Sequence, residues 1–188
     1  MQDRASLPLA ERRRFLTGRP SLDFAHTGGE GSLARWEILH RGDDLARWLS
    51  LILGVEVVAE DAEVAAARQV RNAIGRLAYA RAAAEAWAPA DVQTVNTTAR
   101  GIPPTPQLRP DGTFVNPVTS VEAALSALAR DAIDLFSGPL GDRIRVCAAE
   151  NCGLLLVDAS RPGDRRWCSM QVCGNRAKVR AHREARKG

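Results

Sequence analysis

The stretch Cys147-Ala-Ala-Glu-Asn-Cys152-Gly-Leu-Leu-Leu-Val-Asp-Ala-Ser-Arg-Pro-Gly-Asp-Arg-Arg-Trp-Cys168-Ser-Met-Gln-Val-Cys173 contains all four cysteines of the 188-residue chain. The cysteines form two close pairs with the spacing C-x4-C-x15-C-x4-C. Four thiolates suit one structural Zn²⁺ ion, because a closed tetrahedral sulfur shell leaves no coordination position open to water. The spacing therefore predicts one zinc ion bound by these four residues. Unrelated buried thiols and a redox disulfide switch are the alternatives.

The composition indicates a cytoplasmic globular protein. The chain is 45% hydrophobic and 26% charged, which suits a domain with a hydrophobic core. Residues 1–14 are polar and lack the apolar centre of a secretory signal. The most apolar segment, residues 49–58, is too short to cross a bilayer, so we expect no membrane partner. In a reducing cytoplasm, a cysteine cluster is more often a metal site than a disulfide framework.

The charge is divided unevenly along the chain. Residues 143–188 carry eleven Arg/Lys and four Asp/Glu, a net charge of +7. Residues 1–142 carry fifteen Arg/Lys and eighteen Asp/Glu, a net charge of −3, and the two parts sum to the +4 of the whole chain. A basic end on a mildly acidic body favours a polyanionic partner, with DNA as the first candidate and RNA as the second. The alternative is a solvated basic tail.

The sequence before the cysteines predicts a mainly α fold with a small β component (α+β). Apolar residues at helical spacing predict helices over 43–54, with Gly54 as the terminator, over 60–86, with Pro89 as the stop, and over about 90–100. Prolines around Asp111-Gly112 indicate a short β-hairpin. A last helix is expected to begin with Thr119 as N-cap and Glu122 completing a capping box, and to end at 137–139.

The cysteine-bearing part has the order of a treble-clef-like zinc module. Strand-like segments at 143–146 and 153–158 flank the first cysteine pair, and a helix is predicted from Ser169 onward, with the second pair at its start. A Gly/Pro-rich segment at 138–142 precedes this part. We therefore expect a helical unit over 1–139 and a zinc module over 143–188 that unfold independently. Three alanines of the last helix lie on a face beside its basic residues and could pack on the hairpin: Ala177, Ala181 and Ala185.

These motifs resemble a known family. The blocks that carry the resemblance are Cys147-x4-Cys152, Val157-Asp-x-Ser-Arg161, Arg165-Arg-Trp-Cys-Ser-Met170 and Cys173-Gly-Asn-Arg-Ala-Lys178. Together they are similar to the CGNR zinc-finger family of bacterial proteins. Upstream, Leu22-Asp-Phe-Ala-His-Thr27 and Asp44-Leu-Ala-Arg-Trp-Leu49 resemble the ABATE domain that accompanies this finger, although His26 stands where that family usually has Asn. The resemblance implies a transcription regulator with a zinc-dependent, DNA-binding finger.

Several basic residues of the module are candidate nucleic-acid contacts. Helical spacing places Arg176, Arg180, Arg183 and Lys187 on one stripe. Asn175 and Arg176 are side-chain types that read adenine and guanine edges, whereas Lys178, Arg165 and Arg166 are expected to contact phosphates.

Each of these assignments has a structural alternative. The Asn175 side chain could cap the knuckle backbone, and Arg166 could form a salt bridge with Asp158. Trp167 is expected to be a hydrophobic lid on the zinc site. One or two arginines could serve only to balance the −2 charge of a four-thiolate zinc site.

The N-terminal part offers one further candidate site, formed by Asp23 and His26, which would share a helix face. They could line a pocket for a small-molecule effector or form a catalytic pair, or they could be a buried hydrogen-bonded pair that fixes the N-terminal segment. Glycine-rich phosphate loops and the common hydrolase motifs are absent from the sequence, so we do not expect an enzyme. The favoured function is a transcription regulator. A protein-interaction or structural zinc module, and a small-molecule-binding protein with a vestigial finger, are the alternatives.

Overall fold

A computed structural model describes residues 17–186, with only the backbone of Ser32. The described α-helices are α1 (Pro20–Ala25), α2 (Gly42–Leu53), α3 (Val64–Ala83), α4 (Pro89–Thr98), α5 (Val121–Ser137) and α6 (Asn175–Ala185). The described strands are β1 (Val57–Val58), β2 (Gln107–Leu108), β3 (Phe114–Val115), β4 (Thr119–Ser120), β5 (Ile144–Val146) and β6 (Leu155–Val157). Short 3₁₀ segments cover Gly31–Trp36, Asp61–Glu63 and Gly141–Arg143, and a π-helical turn covers Met170–Gly174. The predicted mainly α fold is confirmed.

The helix boundaries follow local chemistry, with two corrections. Helix α2 ends at Gly54, whose left-handed φ of 70° is the conformation expected of a terminating glycine. Helix α3 ends earlier than predicted, because Ala84 already adopts a left-handed φ of 56°. Pro89 does not stop α3. It opens α4, since the first turn of a helix does not use the amide hydrogen that proline lacks.

The N-cap of α5 was predicted one residue too early. The backbone of Thr119 belongs to β4, which pairs in parallel with β1, and its N–H donates to the Glu56 carbonyl at 2.8 Å. Because the Thr119 backbone is hydrogen-bonded in this sheet, the next residue, Ser120, caps the helix. Its hydroxyl oxygen accepts a hydrogen bond from the Ala123 N–H at 3.2 Å. The predicted hairpin at Asp111-Gly112 is present as antiparallel strands β2 and β3.

The hydrophobic core lies around α3 and continues into the first cysteine hairpin. Helices α1, α4 and α5 pack on α3, and their buried side chains include Phe24, Ile74 and Leu128. Strands β5 and β6 pair antiparallel. Their residues Ile144, Leu155 and Val157 belong to this same core. The expectation that the zinc module unfolds independently therefore conflicts with the packing, because one face of its hairpin completes the core of the helices.

Helix α6 is much less buried than the helices of the core. None of its residues from Asn175 to Ala185 is buried, and Ala181 and Ala185 are exposed. Ala181 and Ala185 therefore do not pack on the hairpin, whereas Ala177 is partly buried. Among residues 17–186, no helix is both long and apolar enough to cross a bilayer.

Candidate metal centre and basic helix

The first cysteine pair lies in a tight knuckle that connects β5 and β6. Cys147 directly follows β5, and its N–H donates to the Leu154 carbonyl at 2.8 Å, which closes the turn. Asn151 and Gly153 adopt left-handed φ values of 59° and 71° on either side of Cys152. This reversal of the chain directs the Cys147 and Cys152 thiols to one point.

The second cysteine pair, Cys168 and Cys173, lies on a hydrogen-bonded loop and on the turn that precedes α6. The Asp158 carboxylate accepts hydrogen bonds from the Ser160 hydroxyl and, at 2.8 Å, from the Arg165 N–H, and these bonds lower the pKa of Asp158. Cys173 lies in the π-helical turn, where its N–H donates to the Ser169 carbonyl at 2.9 Å. The loop thus carries Cys168 back to the knuckle, and the turn brings Cys173 beside it.

The four sulfur atoms form a cage of the size that a tetrahedral metal ion requires. All four lie within 4.8 Å of one another. The Sγ atoms of Cys152, Cys168 and Cys173 are separated by 3.6 to 3.7 Å. A tetrahedron with Zn–S bonds of about 2.3 Å has S···S edges of about 3.8 Å, whereas a disulfide bond is about 2.05 Å long. The donor set therefore fits a tetrahedral thiolate metal site, and the four described cysteines are free of disulfides.

Crowding of the thiols shifts their pKa values in opposite directions. A hydrogen bond with Cys168 lowers the pKa of Cys152 to about 5. The same hydrogen bond and burial raise the pKa of Cys168, and burial raises that of Cys173. Without a cation, one thiol of the cage ionises readily, and the resulting thiolate opposes ionisation of the other thiols. A divalent cation removes this repulsion and lets all four sulfurs coordinate as thiolates.

Two N–H groups of the protein face the sulfurs from outside the cage. The Cys168 N–H donates to Cys147 Sγ at 3.3 Å, and Arg176 Nη2 lies 3.8 Å from Cys173 Sγ. Such contacts orient ligand sulfurs and offset the excess negative charge of a four-thiolate site. Arg176 therefore fits the predicted charge-balancing alternative.

The two arginines of the loop have different surroundings. The Arg165 guanidinium donates to the Trp167 carbonyl at 3.1 Å and to the Cys168 carbonyl at 2.6 Å, so it braces the ligand loop. Arg166 does not form the salt bridge with Asp158 that was the structural alternative for it. Its guanidinium lies over the Trp167 ring, 5.2 Å from the centroid. Trp167 packs against the cysteine cluster, which is the position predicted for it as a hydrophobic lid. Of the two arginines, only Arg166 is exposed.

On α6, part of the predicted basic stripe turns toward the knuckle. Arg180 forms ion pairs with Glu150 of the knuckle and with Glu184. Asn175 donates its side-chain amide to the Gln171 carbonyl at 3.1 Å, so it contacts the backbone of the π-helical turn and not that of the knuckle. Lys187 lies outside the described residues.

Other basic residues of α6, and Arg186 directly after it, have charges without an ion-pair partner in the described part of the chain. Within residues 17–186, no ion-pair partner contacts Lys178, Arg183 or Arg186, and all three are exposed. Helical geometry places them on one arc together with His182. We call Lys178, His182, Arg183 and Arg186 the basic arc.

Asp23 and His26 are buried at the junction between the helices and the finger. Asp23 Oδ1 accepts hydrogen bonds from the Thr17 N–H and hydroxyl, and His26 Nε2 accepts one from the Leu155 N–H at 2.9 Å. They are 2% and 5% exposed. A pocket beside α1 is lined by Ala25, Gly28 and other residues but not by these two. Asp23 therefore holds the N-terminal segment at Thr17, as in the structural alternative, whereas His26 contacts a strand of the finger.

Sequence reasoning missed one residue that joins the two parts of the chain. The Tyr79 hydroxyl donates to the Gly153 carbonyl at 2.7 Å, next to Cys152, and burial raises the pKa of Tyr79 to about 12. Tyr79 is the only tyrosine in the chain and lies on the same helix face as Arg71 and Gly75, at four-residue spacing. That helical spacing was the sequence signal for Tyr79, but it does not reveal a hydrogen-bond partner that lies 74 residues away.

The fold and the sulfur cage together define a helical domain joined to a four-cysteine zinc-finger module. Two family models match the chain: ABATE, described as a putative stress-induced transcription regulator, over residues 18–139, and the CGNR zinc finger over residues 143–186. The chain belongs to the ABATE family and carries a CGNR zinc finger at its C-terminal side. No curated protein matches the chain.

Proposed function

We propose that this chain is a non-enzymatic, cytoplasmic transcription regulator whose finger holds one Zn²⁺ ion and binds DNA through α6. The observation that carries the proposal is the exposure of α6. The helix has no buried residue and bears the unpaired charges of the basic arc. An exposed basic helix can enter the major groove of DNA, and its cations can replace counterions condensed on the phosphates.

Zinc is the metal that we propose because of the chemistry of the cage. Four cysteine sulfurs at tetrahedral edge lengths match the preference of Zn²⁺ for soft ligands and four-coordination. All four positions are filled by protein, which supports a structural ion and a finger without catalytic chemistry. Metal binding would hold the π-helical turn, and therefore the start of α6, against the knuckle.

The contacts within the finger revise which residues we expect at the DNA. Arg165 braces the ligand loop, Arg180 is paired with Glu150, and Asn175 and Arg176 contact the finger itself. We therefore assign phosphate contacts to Arg166 and to the basic arc. Base reading by Asn175 or Arg176 is not part of this proposal.

The proposal is tested by single alanine variants of the full-length, zinc-loaded chain, with DNA binding followed by fluorescence anisotropy. Lys178→Ala and Arg183→Ala should each weaken binding to any duplex by about three- to tenfold at low salt, because each removes about one phosphate contact. Arg180→Ala is the matched control. It makes the same kind of charge change on the same helix, but its cation is already paired, so its effect should be smaller.

The alternative functions predict different results in this assay. A protein-interaction or structural module would give no measurable DNA affinity, and all three variants would be indistinguishable. An RNA-binding finger would show the same ranking of variants but would bind single-stranded RNA more tightly than duplex DNA. A loss caused by Arg180→Ala as large as that caused by Arg183→Ala would contradict our assignment of the contacts.

A further inference from the structure

The helical domain contains a small pocket, and one of its lining residues, Tyr79, forms a hydrogen bond with the metal knuckle. The pocket has a volume of about 110 Å³ and lies between the Gly28-Gly29 segment and α3. A single water needs about 10–15 Å³ of such space, and pockets for drug-sized ligands have about 300–1,000 Å³. The pocket is therefore suited to a molecule of a few heavy atoms.

A buried arginine supplies the main polar group of the pocket. Arg71 is only 2% exposed, yet it is one of the lining residues. Its Nε donates to Asn72 Oδ1 at 3.0 Å and its Nη1 to Glu37 Oε1 at 2.8 Å. Among residues 17–186, no acceptor contacts its Nη2 group. A buried guanidinium with donors left over is an arrangement that recognises a planar carboxylate.

Two glycines line the pocket, and the backbone of Gly28 lies close to this guanidinium. Neither the Gly28 nor the Gly29 N–H has an acceptor within the described residues 17–186. A Cβ atom on Gly28 would lie 2.6 Å from both Arg71 Nη1 and Glu37 Oε2, so only glycine allows this approach. Glu30 also lines the pocket, but its carboxylate already accepts hydrogen bonds from Asn72 at 3.2 Å and Arg76 at 2.9 Å. The donors that remain available are therefore those of Arg71 and the glycines.

We propose that this pocket binds a small carboxylate through Arg71 and the Gly28-Gly29 amides, and that its occupancy is transmitted to the metal knuckle through Tyr79. Tyr79 lines the pocket and also donates its hydroxyl to the Gly153 carbonyl. A ligand packed against the Tyr79 ring would restrict the motion of the Tyr79 hydroxyl. Because this hydroxyl bonds to Gly153, the ligand would also restrict the turn that carries Cys152. This site replaces Asp23 and His26 as the effector site, and it deepens the proposed regulator function without depending on DNA binding.

Binding can be measured at the single tyrosine of the full-length, zinc-loaded chain. With 3-fluorotyrosine incorporated, one ¹⁹F resonance reports on residue 79. Acetate should shift it saturably with a millimolar dissociation constant, whereas the neutral isostere acetamide should not. The absence of a saturable acetate shift, or an equal response to acetamide, would overturn the carboxylate site.

A variant that fills the pocket locates the binding. A Cβ atom at Gly75 meets only Ala25 Cβ at 3.7 Å, and replacing a helical glycine favours the helix. Gly75→Leu should therefore keep the fold, checked by thermal unfolding, and weaken acetate binding at least tenfold. Ala66→Leu, on an exposed position of the same helix, is the matched control and should bind like the wild type. Unchanged acetate binding by folded Gly75→Leu would place the site elsewhere and refute the proposal.

The coupling has its own measurement, the rate of zinc transfer to a chelator. Saturating acetate should slow this transfer at least twofold in the wild type and leave it unchanged in Tyr79→Phe. An equal effect of acetate on both proteins, or none on the wild type, would refute the role of Tyr79. Neither experiment contains nucleic acid, so its outcome is independent of whether the finger binds DNA.

Discussion

Two adjacent leucines of β6 allow a direct test of how the helical core and the metal centre share one hairpin. Leu155 and Leu156 are both fully buried, at 0% exposure. Because side chains alternate along a strand, Leu155 packs in the core of the helices and Leu156 packs among the cysteines. Leu155→Ala and Leu156→Ala therefore remove the same atoms from two different environments, one residue apart.

The expected magnitudes follow from the cost of a cavity. A buried Leu→Ala change costs about 2–5 kcal/mol, and each kcal/mol lowers the melting temperature of a chain of this size by roughly 2–4 °C. Leu155→Ala should thus lower the unfolding temperature of the helices, followed by far-UV circular dichroism, by roughly 4–20 °C. Leu156→Ala should instead weaken metal binding, because in a small module the free energy of metal binding is also free energy of folding.

Both quantities are measured on both full-length variants: the helical unfolding temperature with zinc bound, and the zinc affinity in competition with a chelator. Leu155→Ala should retain most of its zinc affinity at temperatures where it is folded. Leu156→Ala should lose roughly ten- to a hundredfold in zinc affinity and show the smaller loss of helical stability. Identical profiles for the two variants would refute the separation of the two faces, and no effect of Leu155→Ala on the helices would refute the shared core.

Two further predictions concern the hydrogen-bond acceptors Glu37 and His26. Burial raises the pKa of Glu37, but hydrogen bonds from Arg71 and the Leu39 N–H outweigh it and the net pKa is lowered. Glu37 therefore stabilises the fold above its ordinary pKa and loses this contribution as the pH falls through the lowered value, so urea unfolding at pH 7 and pH 3.5 should show a smaller acid loss in Glu37→Gln than in the wild type. His26→Ala removes the acceptor of the buried Leu155 N–H and should cost about 1–3 kcal/mol in urea unfolding. Asn at this position restores an acceptor oxygen, so His26→Asn should recover part of the loss, and equal losses for both variants would contradict the hydrogen-bond account.

The metal ligands were predictable because they follow one another closely in sequence. Each x4 spacer forms a short local turn, so the pairing of Cys147 with Cys152 and of Cys168 with Cys173 depends on few degrees of freedom. The helix stop at Gly54 and the turn at Asp111-Gly112 were predictable for the same reason. In each case the residue type itself sets the local backbone conformation.

The errors lie where a distant segment decides the local structure. Thr119 has a side chain suited to an N-cap, but its backbone is paired in the sheet of β4 and β1. Ser120 serves as the cap instead. Arg180 fits an ideal basic stripe, yet Glu150, which lies 30 residues earlier, pairs with it. His26 has the appearance of a site residue, and its partner is a strand amide 129 residues away. Periodicity contains no information about such partners.

The salt dependence of DNA affinity tests the central claim, that a metal-held finger presents α6 to DNA, most directly. For the full-length, zinc-loaded chain and a B-form duplex, the logarithm of the association constant is plotted against the logarithm of the salt concentration. With three to five phosphates contacted by Arg166 and the basic arc, the slope should be about −3 to −4.5, and it should decrease in magnitude by about one in Arg183→Ala. Removal of zinc should abolish the binding, because it releases the turn from which α6 begins. A folded, zinc-loaded chain with no salt-dependent affinity for DNA would contradict the claim, as would an unchanged slope after zinc removal.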